Sequence, residues 1–303
     1  MRRQRTAERQ NNAERQGTAE HQVTAGRQDT PEFQGEAGVQ GTSGRQVSVF
    51  NSFLAAIQFL LVTPAFIRRP FTPQEMGKSA GFYPLVGTLL GGILLGVDCL
   101  IERLGAGGAP LLPSQVRAAL ILALWIILTG ALHLDGFLDA CDGLLGGNTS
   151  EQRLEIMRDE RVGAYALAGG ILLLLVKFSA LGALTNRVVG LLLTPTLGRW
   201  AIAVAVVAYP YARSRGLGRD LKDHVTWRQA LLATLLAFVV TVLLAWFSHS
   251  WAAPIALVAA ALTTWSVASF ANRRIPGLTG DIYGALNEVA EMVVLLVLVA
   301  AFR

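Results

Sequence analysis

The stretch 129-TGALHLDGFLDACDGLLGG-147 decides how the rest of the chain is interpreted. It follows a long apolar run and contains Asp135, Asp139 and Asp142. On a helix of about 3.6 residues per turn these three carboxylates share one face, where like charges repel each other. A hard divalent cation such as Mg²⁺ or Mn²⁺ would relieve that repulsion, because its preferred ligands are oxygens. The spacing therefore predicts a metal-binding helix, and the alternative is an acidic helix end that is merely solvated.

The glycines of the same stretch favour the metal-binding interpretation. Gly136, Gly143, Gly146 and Gly147 would let a neighbouring backbone or a ligand approach closely, which a solvated helix end does not need. Neither Cys nor His lies on the aspartate face, since His133 falls on the opposite side of the helix. A zinc site is therefore not indicated.

The composition is that of a membrane protein. Of 303 residues, 52% are hydrophobic and only 16% are charged, against about 25% charged in soluble domains. The net charge of +5 comes from basic residues placed between apolar runs, which suits anionic headgroups and phosphate-bearing substrates. No basic patch interleaved with aromatic residues indicates nucleic-acid binding. Cys99 and Cys141 are far apart, so neither a disulfide framework nor a thiolate metal site is predicted.

The N-terminal segment differs from the rest of the chain. Residues 1–49 contain almost no large apolar side chains, so we expect a disordered, low-complexity tail, with residues 50–303 forming the integral membrane domain. No apolar segment follows the early arginines, as a signal peptide would require. Glutamine recurs every six residues in the tail, at Gln4, Gln10, Gln16, Gln22, Gln28, Gln34, Gln40 and Gln46.

Seven or eight apolar runs follow Phe50, and a membrane-spanning helix needs about 20 such residues. The first run is short, and the fifth is interrupted by Pro195, Gly198 and Arg199. We therefore expect an all-α, polytopic helical membrane protein with seven or eight transmembrane helices. The runs lie near residues 53–67, 84–104, 116–134, 163–185, 188–211, 229–248, 251–271 and 285–302.

Basic residues are concentrated in alternate connections, which the positive-inside rule places in the cytoplasm. The other connections carry only Arg103, Arg117 and Arg187. The side on which the tail lies depends on whether residues 53–67 span the membrane. The basic set comprises Arg68, Arg69, Lys78, Arg153, Arg158, Arg161, Arg213, Arg215, Arg219, Lys222, Arg228, Arg273 and Arg274.

The acidic clusters fall in the same connections as this basic set. Residues 153–165 predict a short charged helix capped near Asn148 or Ser150. In residues 277–292, Asp281, Glu288 and Glu291 share a helical face, as the three aspartates do. Carboxylates around a metal, flanked by arginines, can hold a diphosphate and orient an incoming hydroxyl. The pattern therefore indicates phosphoryl transfer at the membrane surface.

Two charged residues fall inside apolar runs, where an unpaired charge is unfavourable and usually has a function. Lys177 lies near the middle of the fourth run and could pair with a carboxylate. Arg199 of the fifth run could form a buried ion pair or bind phosphate.

Five blocks of the chain, in order, resemble the cobalamin synthases, also called adenosylcobinamide-GDP ribazoletransferases. The resemblance covers roughly residues 53–300. Near the first run the family's TRLPxP stretch is replaced by TPAFIRRP, which leaves Arg68 and Arg69 without an assigned role. The blocks are FYPLVGTLLG from Phe82, TGALHLDGFLDACDG from Thr129, RLEIMRDERVGAY from Arg153, YARSRGLG from Tyr211 and GLTGDIYGALNEVAE from Gly277.

The resemblance implies a Mg²⁺-dependent enzyme of the bacterial cytoplasmic (inner) membrane with its active site facing the cytoplasm. It would join adenosylcobinamide-GDP to α-ribazole or α-ribazole 5′-phosphate and release GMP. The catalytic candidates are Asp142, Glu288 and His133. The candidates for binding substrate phosphates are Arg153, Arg158, Arg161, Lys177 and Arg199. The metal candidates are Asp135, Asp139, Asp142, Asp281, Glu288 and Glu291.

Two other functions share parts of this pattern. A lipid enzyme of the CDP-alcohol phosphotransferase kind shares the chemistry, but Asp142-Gly143 is followed by LLGGN and not by that family's DGxxAR continuation. A transporter would use Lys177 and Arg199 to line a solute path. Its coupling carboxylates should lie near the bilayer midplane, whereas the acidic clusters lie at the ends of apolar runs. The sequence leaves a homo-oligomer open.

Overall fold

The computed structural model describes residues 48–105 and 111–302, so the repeat segment lies outside the described residues. Within them the regular structure is helical, apart from one isolated parallel bridge between Tyr211 and Leu278. The helices are α1 (Val49–Leu60), α2 (Pro73–Ser79), α3 (Tyr83–Arg103), α4 (Ser114–Leu128), α5 (Leu132–Gly146), α6 (Ser150–Ile156), α7 (Ala164–Ala183), α8 (Arg187–Ala208), α9 (Leu217–His224), α10 (Trp227–Ser248), α11 (Ala252–Asn272) and α12 (Gly280–Ala301). A short 3₁₀ turn, Ala80–Phe82, joins α2 to α3.

The predicted all-α, polytopic fold is confirmed. In the described residues six helices are long and apolar enough to span a membrane: α3 taken together with α2 and the turn between them, α7, α8, α10, α11 and α12. The pair α4 and α5 passes the same test only together, which makes seven. An eighth span is not found among these residues, because α1 has 12 residues and a span needs about 20.

Helix α8 lies at the centre of the bundle and packs against α3, α10, α11 and α12. It is continuous although Pro195 lies within it, because neighbouring helices in a membrane bundle can compensate for the lost backbone hydrogen bond. A Cβ atom on Gly87 or Gly91 of α3 would overlap the carbonyl groups of Pro195 or Leu191, so α3 and α8 cross at van der Waals contact.

The two ends of the bundle differ in charge. At the end where α3 finishes, Arg117 and Arg187 both pair with the buried carboxylate of Asp98. The basic set of the sequence lies in the connections at the other end. The distribution of basic residues expected from the positive-inside rule therefore corresponds to the two ends of the bundle.

A sharp turn separates α4 from α5. Gly130 and Ala131 both adopt left-handed backbone conformations, with φ of 58° and 56°, and the two helices are bent by 89°. The sequence predicted one continuous apolar run over residues 116–134. Alanine rarely adopts positive φ, so a turn at Ala131 was not expected. Helix α5 consequently leaves the direction of α4 and packs along α7 and α12.

Candidate functional site

The crossing of α5 and α12 brings two acidic segments together. A Cβ atom on Gly136 would lie 3.1 Å from the Cα atom of Asp281, and one on Gly284 would lie 2.8 Å from the carbonyl oxygen of His133. The two backbones therefore approach more closely than any pair of side-chain-bearing residues would allow. This contact places Asp135 and Asp139 of α5 beside Asp281 at the start of α12.

An arginine pairs with one of these three carboxylates. Arg213 Nη2 lies 2.7 Å from Asp281 Oδ2, which also accepts a hydrogen bond from Thr279 Oγ1 at 3.2 Å. Asp139 experiences the negative charges of both Asp281 and Asp135. In the described part of the chain, neither Asp135 nor Asp139 has a hydrogen-bond or ion-pair partner for its carboxylate. The cluster therefore carries an excess of negative charge that a cation would offset.

The donor set fits a magnesium ion that shares its ligands with a substrate. No group of three or more Asp, Glu, His or Cys side chains is arranged to enclose a metal within the residues that the structure describes. Mg²⁺ is usually bound by only one or two carboxylates, with substrate phosphates and water completing its octahedron. Asp135 and Asp139 offer such carboxylates, and all their donor atoms are oxygens.

Arg213 is held in place by backbone pairing between the segment after α8 and the segment before α12. Ala212 N donates to Leu278 O, and Leu278 N donates to Pro210 O, both at 2.8 Å. Gly277 has φ of 126°, and a Cβ atom there would lie 2.7 Å from the Pro210 carbonyl oxygen. The sequence had placed Arg213 only in the cytoplasmic basic set, although its block YARSRGLG was part of the resemblance.

A cavity of about 300 Å³ lies beside the carboxylates. Its lining combines four charged side chains with mainly aliphatic and aromatic ones. The charged side chains are Asp135, Asp281, Arg213 and Arg215, and the apolar and aromatic ones include Phe59, Leu60, Leu132, Ile202, Tyr211, Leu217, Leu221 and Tyr283. This combination of a concave apolar site and a few charged groups is typical of small-molecule binding.

His133, a predicted catalytic residue, also lines this cavity. It is buried, and within the described residues its Nδ1 atom has no hydrogen-bond partner. The positive charges of Arg199 and Lys177 act on its ring. His133 is thus close to the carboxylates of the crossing, although it projects from another side of α5.

Asp142 is placed apart from the other two aspartates of α5. Its Oδ2 accepts from Gly163 N at 2.6 Å and its Oδ1 accepts from Ala166 N at 2.9 Å. A Cβ atom on Gly163 would lie 2.6 Å from Asp142 Oδ1. The carboxylate therefore caps the N-terminus of α7, where free N–H groups and the helix dipole favour a negative charge. Both its oxygens are engaged, which weakens its candidacy as a metal ligand or general base.

Glu288 and Glu291 face the interior of the bundle and are not brought together with Asp281. Lys177 Nζ lies 2.8 Å from Glu288 Oε2 and 2.6 Å from Glu291 Oε2. Arg199 pairs with Oε1 of Glu291. We call these four residues the buried ion cluster. Its two cations and two carboxylates neutralise each other, as charges within a membrane require.

Lys177 and Arg199 are predicted to bind phosphate, and Glu288 and Glu291 to bind metal, and the structure pairs each of them inside this cluster. Of the acidic face predicted on α12, only Asp281 contributes to the carboxylates at the crossing. Helical spacing shows which residues share a face but not which neighbour that face contacts.

The three arginines predicted to bind phosphate differ in their surroundings. Helix α6 begins at Ser150, with Thr149 accepting from Gln152 N at 3.3 Å, and it ends at Ile156. The predicted helix 153–165 was therefore too long, and its cap is Thr149 and neither Asn148 nor Ser150. Arg153 donates to the carbonyl of Arg274 at 3.2 Å.

Arg158 and Arg161 lie in the exposed segment after α6. Arg161 pairs with Asp159 at 2.6 Å, and this hydrogen bond lowers the pKa of that carboxyl to about 2. Within the described residues Arg158 has no comparable partner. It remains the most available of the three predicted phosphate-binding arginines.

Known proteins are similar in sequence to most of this chain. The sequence model of a family described as cobalamin-5-phosphate synthase matches residues 52–299. A protein of Pseudomonas syringae pv. syringae named adenosylcobinamide-GDP ribazoletransferase is 41% identical over 252 residues, which cover 81% of this chain and 98% of that protein. No solved structure matches this chain.

Similar proteins of the same name occur in less closely related bacteria. The Acinetobacter baumannii protein is 35% identical over 253 residues, covering 82% of this chain and 97% of its own length. The Desulfitobacterium hafniense protein is 38% identical over 247 residues, covering 80% and 93% respectively. The matched region therefore corresponds to nearly the whole length of each relative.

Proposed function

The chain belongs to the cobalamin-5-phosphate synthase family, and we infer that it is the transferase that joins adenosylcobinamide-GDP to α-ribazole or α-ribazole 5′-phosphate. The products are adenosylcobalamin or its 5′-phosphate, together with GMP. The crossing of α5 and α12 is the observation that supports a location for the active site. There, Asp135, Asp139 and Asp281 meet Arg213 beside a cavity of nucleoside size.

The reaction is a substitution at the phosphorus atom attached to cobinamide. The 3′-hydroxyl of ribazole attacks this phosphorus, an O–P bond forms, and the O–P bond to GMP breaks. The hydroxyl proton must pass to a base, and GMP leaves with the bridging oxygen. Catalysis of this kind depends mainly on positioning the two reactants and stabilising the phosphate charge.

We propose that Asp135 and Asp139 hold Mg²⁺ together with phosphate oxygens of the substrate. When bound, the ion would offset the charge that develops on the leaving phosphate. Arg213 would contact a phosphate oxygen while Asp281 keeps its guanidinium in place, and Arg215 would add a second positive charge to the cavity. These roles are supported by the two carboxylates that have no partner among the described residues and by the presence of both arginines in the lining.

His133 lines the cavity and is suited to accept the hydroxyl proton, since it is not one of the proposed metal ligands. Its ring nitrogen Nδ1 has no hydrogen-bond partner among the described residues. Glu288 and Asp142 are engaged in the buried ion cluster and in capping α7, so we propose His133 in their place. A general base has to lie within hydrogen-bond reach of the hydroxyl in the bound complex.

We also propose that the site faces the cytoplasm and that the membrane is the bacterial cytoplasmic membrane. The support is the concentration of basic residues in the connections at the end of the bundle that carries the carboxylates. Accessibility labelling of a single cysteine placed at Arg158 in intact cells and in inverted vesicles would test this orientation. Labelling from outside in intact cells would overturn it.

The activity is tested with membranes containing the chain, supplied with adenosylcobinamide-GDP, α-ribazole and Mg²⁺. We expect a corrinoid product and GMP in equal amounts. CDP-diacylglycerol with an alcohol acceptor serves as the competing reaction, and turnover of that substrate without corrinoid product would contradict the assignment. The matched control is Glu102→Gln, an exposed carboxylate at the opposite end of the bundle, which should leave the rate unchanged.

A further inference from the structure

Two tyrosines from different parts of the chain stack on each other in the wall of the cavity. The rings of Tyr211 and Tyr283 have centroids 6.2 Å apart and planes inclined by 27°. Tyr283 is buried, whereas Tyr211 is partly exposed and presents the accessible ring of the pair. The pairing of residues 210–212 with Leu278 fixes the segment that carries Tyr211. The cavity therefore has a rigid aromatic wall.

The start of α9 lies against that ring. A Cβ atom on Gly218 of α9 would overlap the Tyr211 hydroxyl, and Gly216, which precedes this helix, has φ of 112°. Both glycines line the cavity, as does Leu221 of the same helix. The ring of Tyr211 is thus fixed from the side of α9 as well as from the side of α12.

The size of the cavity limits what it can enclose. At about 300 Å³ it lies at the lower end of small-molecule sites, which range from about 300 to 1,000 Å³. One nucleoside fits such a space, whereas a corrin macrocycle with its peripheral amides does not. The corrinoid part of the donor substrate, with its adenosyl group, must therefore stay outside. Guanosine and the ribazole are then the two nucleosides at the reacting phosphate that the cavity could hold.

The chemistry of the walls distinguishes those two nucleosides. Phe59, Leu60, Leu132 and Ile202 give the cavity a largely apolar lining beside its charged groups. Guanine has several donors and acceptors at its edges, and burying them against such walls would leave them unsatisfied. A benzimidazole base is flat and apolar and has one ring nitrogen free to accept a hydrogen bond. It matches an aromatic and aliphatic pocket far better.

We propose that this cavity binds the base of the benzimidazole nucleoside that acts as acceptor, stacked on Tyr211, with its ribose directed towards Asp135 and Arg213. The proposal rests on the proposed function and adds the location of one of its two substrates. In this arrangement the 3′-hydroxyl lies next to the carboxylates, while adenosylcobinamide-GDP approaches the charged groups with its diphosphate.

The test measures the KM for each substrate separately, using the full chain in membranes. Replacing Tyr211 by Leu removes the aromatic wall. It should raise the KM for α-ribazole roughly tenfold, as expected for the loss of one base–aromatic stack, and should change the KM for adenosylcobinamide-GDP less than about twofold. Tyr211→Phe keeps the ring and should behave like the wild type. Tyr209→Leu is the matched control, since Tyr209 contacts Ser269 and does not line the cavity.

Each other outcome contradicts the proposal in a recognisable way. A raised KM for adenosylcobinamide-GDP alone would place guanine in the cavity, and unchanged constants for both substrates would place the base elsewhere. If Tyr211→Leu abolishes turnover, binding of labelled α-ribazole to this variant and to Tyr211→Phe decides the question, and equal affinities would overturn the proposal. Absence of any corrinoid product from the wild-type chain would refute the proposed function itself.

Discussion

Replacing Lys177 by Met gives the sharpest test of the buried ion cluster. The ammonium group lies 2.8 Å and 2.6 Å from oxygens of Glu288 and Glu291, and all three side chains are buried. Without it, two carboxylates share the single positive charge of Arg199. Removing one partner of a buried ion pair destabilises a protein by about 3–5 kcal/mol, because it leaves an uncompensated charge. At roughly 2–4 °C per kcal/mol, we expect the unfolding temperature to fall on the order of 10 °C.

The assay is thermal unfolding of the detergent-solubilised protein, followed by tryptophan fluorescence. The double variant Lys177→Met/Glu288→Gln restores the balance of one cation and one carboxylate, so it should recover more than half of the lost stability. The reasoning would be refuted if Lys177→Met unfolded within about 2 °C of the wild type, or if the double variant were no more stable than the single one. A phosphate-binding lysine would instead raise the KM without changing the unfolding temperature.

Three further changes have defined outcomes. Gly163→Ala places a methyl group 2.6 Å from Asp142 Oδ1 and so disturbs the cap of α7. It should lower the unfolding free energy by about 1–3 kcal/mol in denaturant titrations. An unchanged unfolding free energy would contradict the capping role. Arg213→Met should lower kcat/KM about 10- to 100-fold through the loss of a charged hydrogen-bond donor, while Arg219→Met, in an exposed pair with Asp223, should not. Burial raises the pKa of Tyr211 above 10.0, so the folded state keeps a proton that the unfolded state releases. The unfolding free energy should therefore fall as the pH rises from 10 upward. Tyr211→Phe should reduce the slope of unfolding free energy against pH in this range, and an unchanged slope would argue against the burial.

The sequence predicted those site residues whose position along the chain already implied that they lie near each other. Asp135, Asp139 and Asp281 lie at the ends of apolar runs in connections on the same side, and this alone implied that they could meet. The glycine signal was also informative, since Gly136 lies at the crossing of α5 and α12. The family resemblance added the block that contains Arg213, whose pairing with Asp281 emerged only from the structure.

The remaining site residues depend on contacts that no spacing encodes. Asp142 follows Asp139 by three residues, but it faces the N-terminus of α7 and accepts two backbone hydrogen bonds there. Glu288 and Glu291 follow Asp281 on α12, but two or more turns along the helix they face Lys177 and Arg199. The 89° bend at Gly130 and Ala131 was also not predicted. The N–H groups of these two residues close the end of α4 by donating to Ile127 O and Ile126 O, and Val62 N donates to Leu128 O beside them.

The Mg²⁺ dependence of GMP release by Asp139→Asn tests the placement of the metal and the diphosphate most directly. The substitution keeps the size of the side chain and removes its charge, with Glu102→Gln as control. Because metal stabilisation of a phosphate supplies several kcal/mol, we predict that GMP release falls on the order of 100-fold while the unfolding temperature is preserved. Wild-type rates at the wild-type Mg²⁺ concentration would contradict the account and remove Asp139 from the active site.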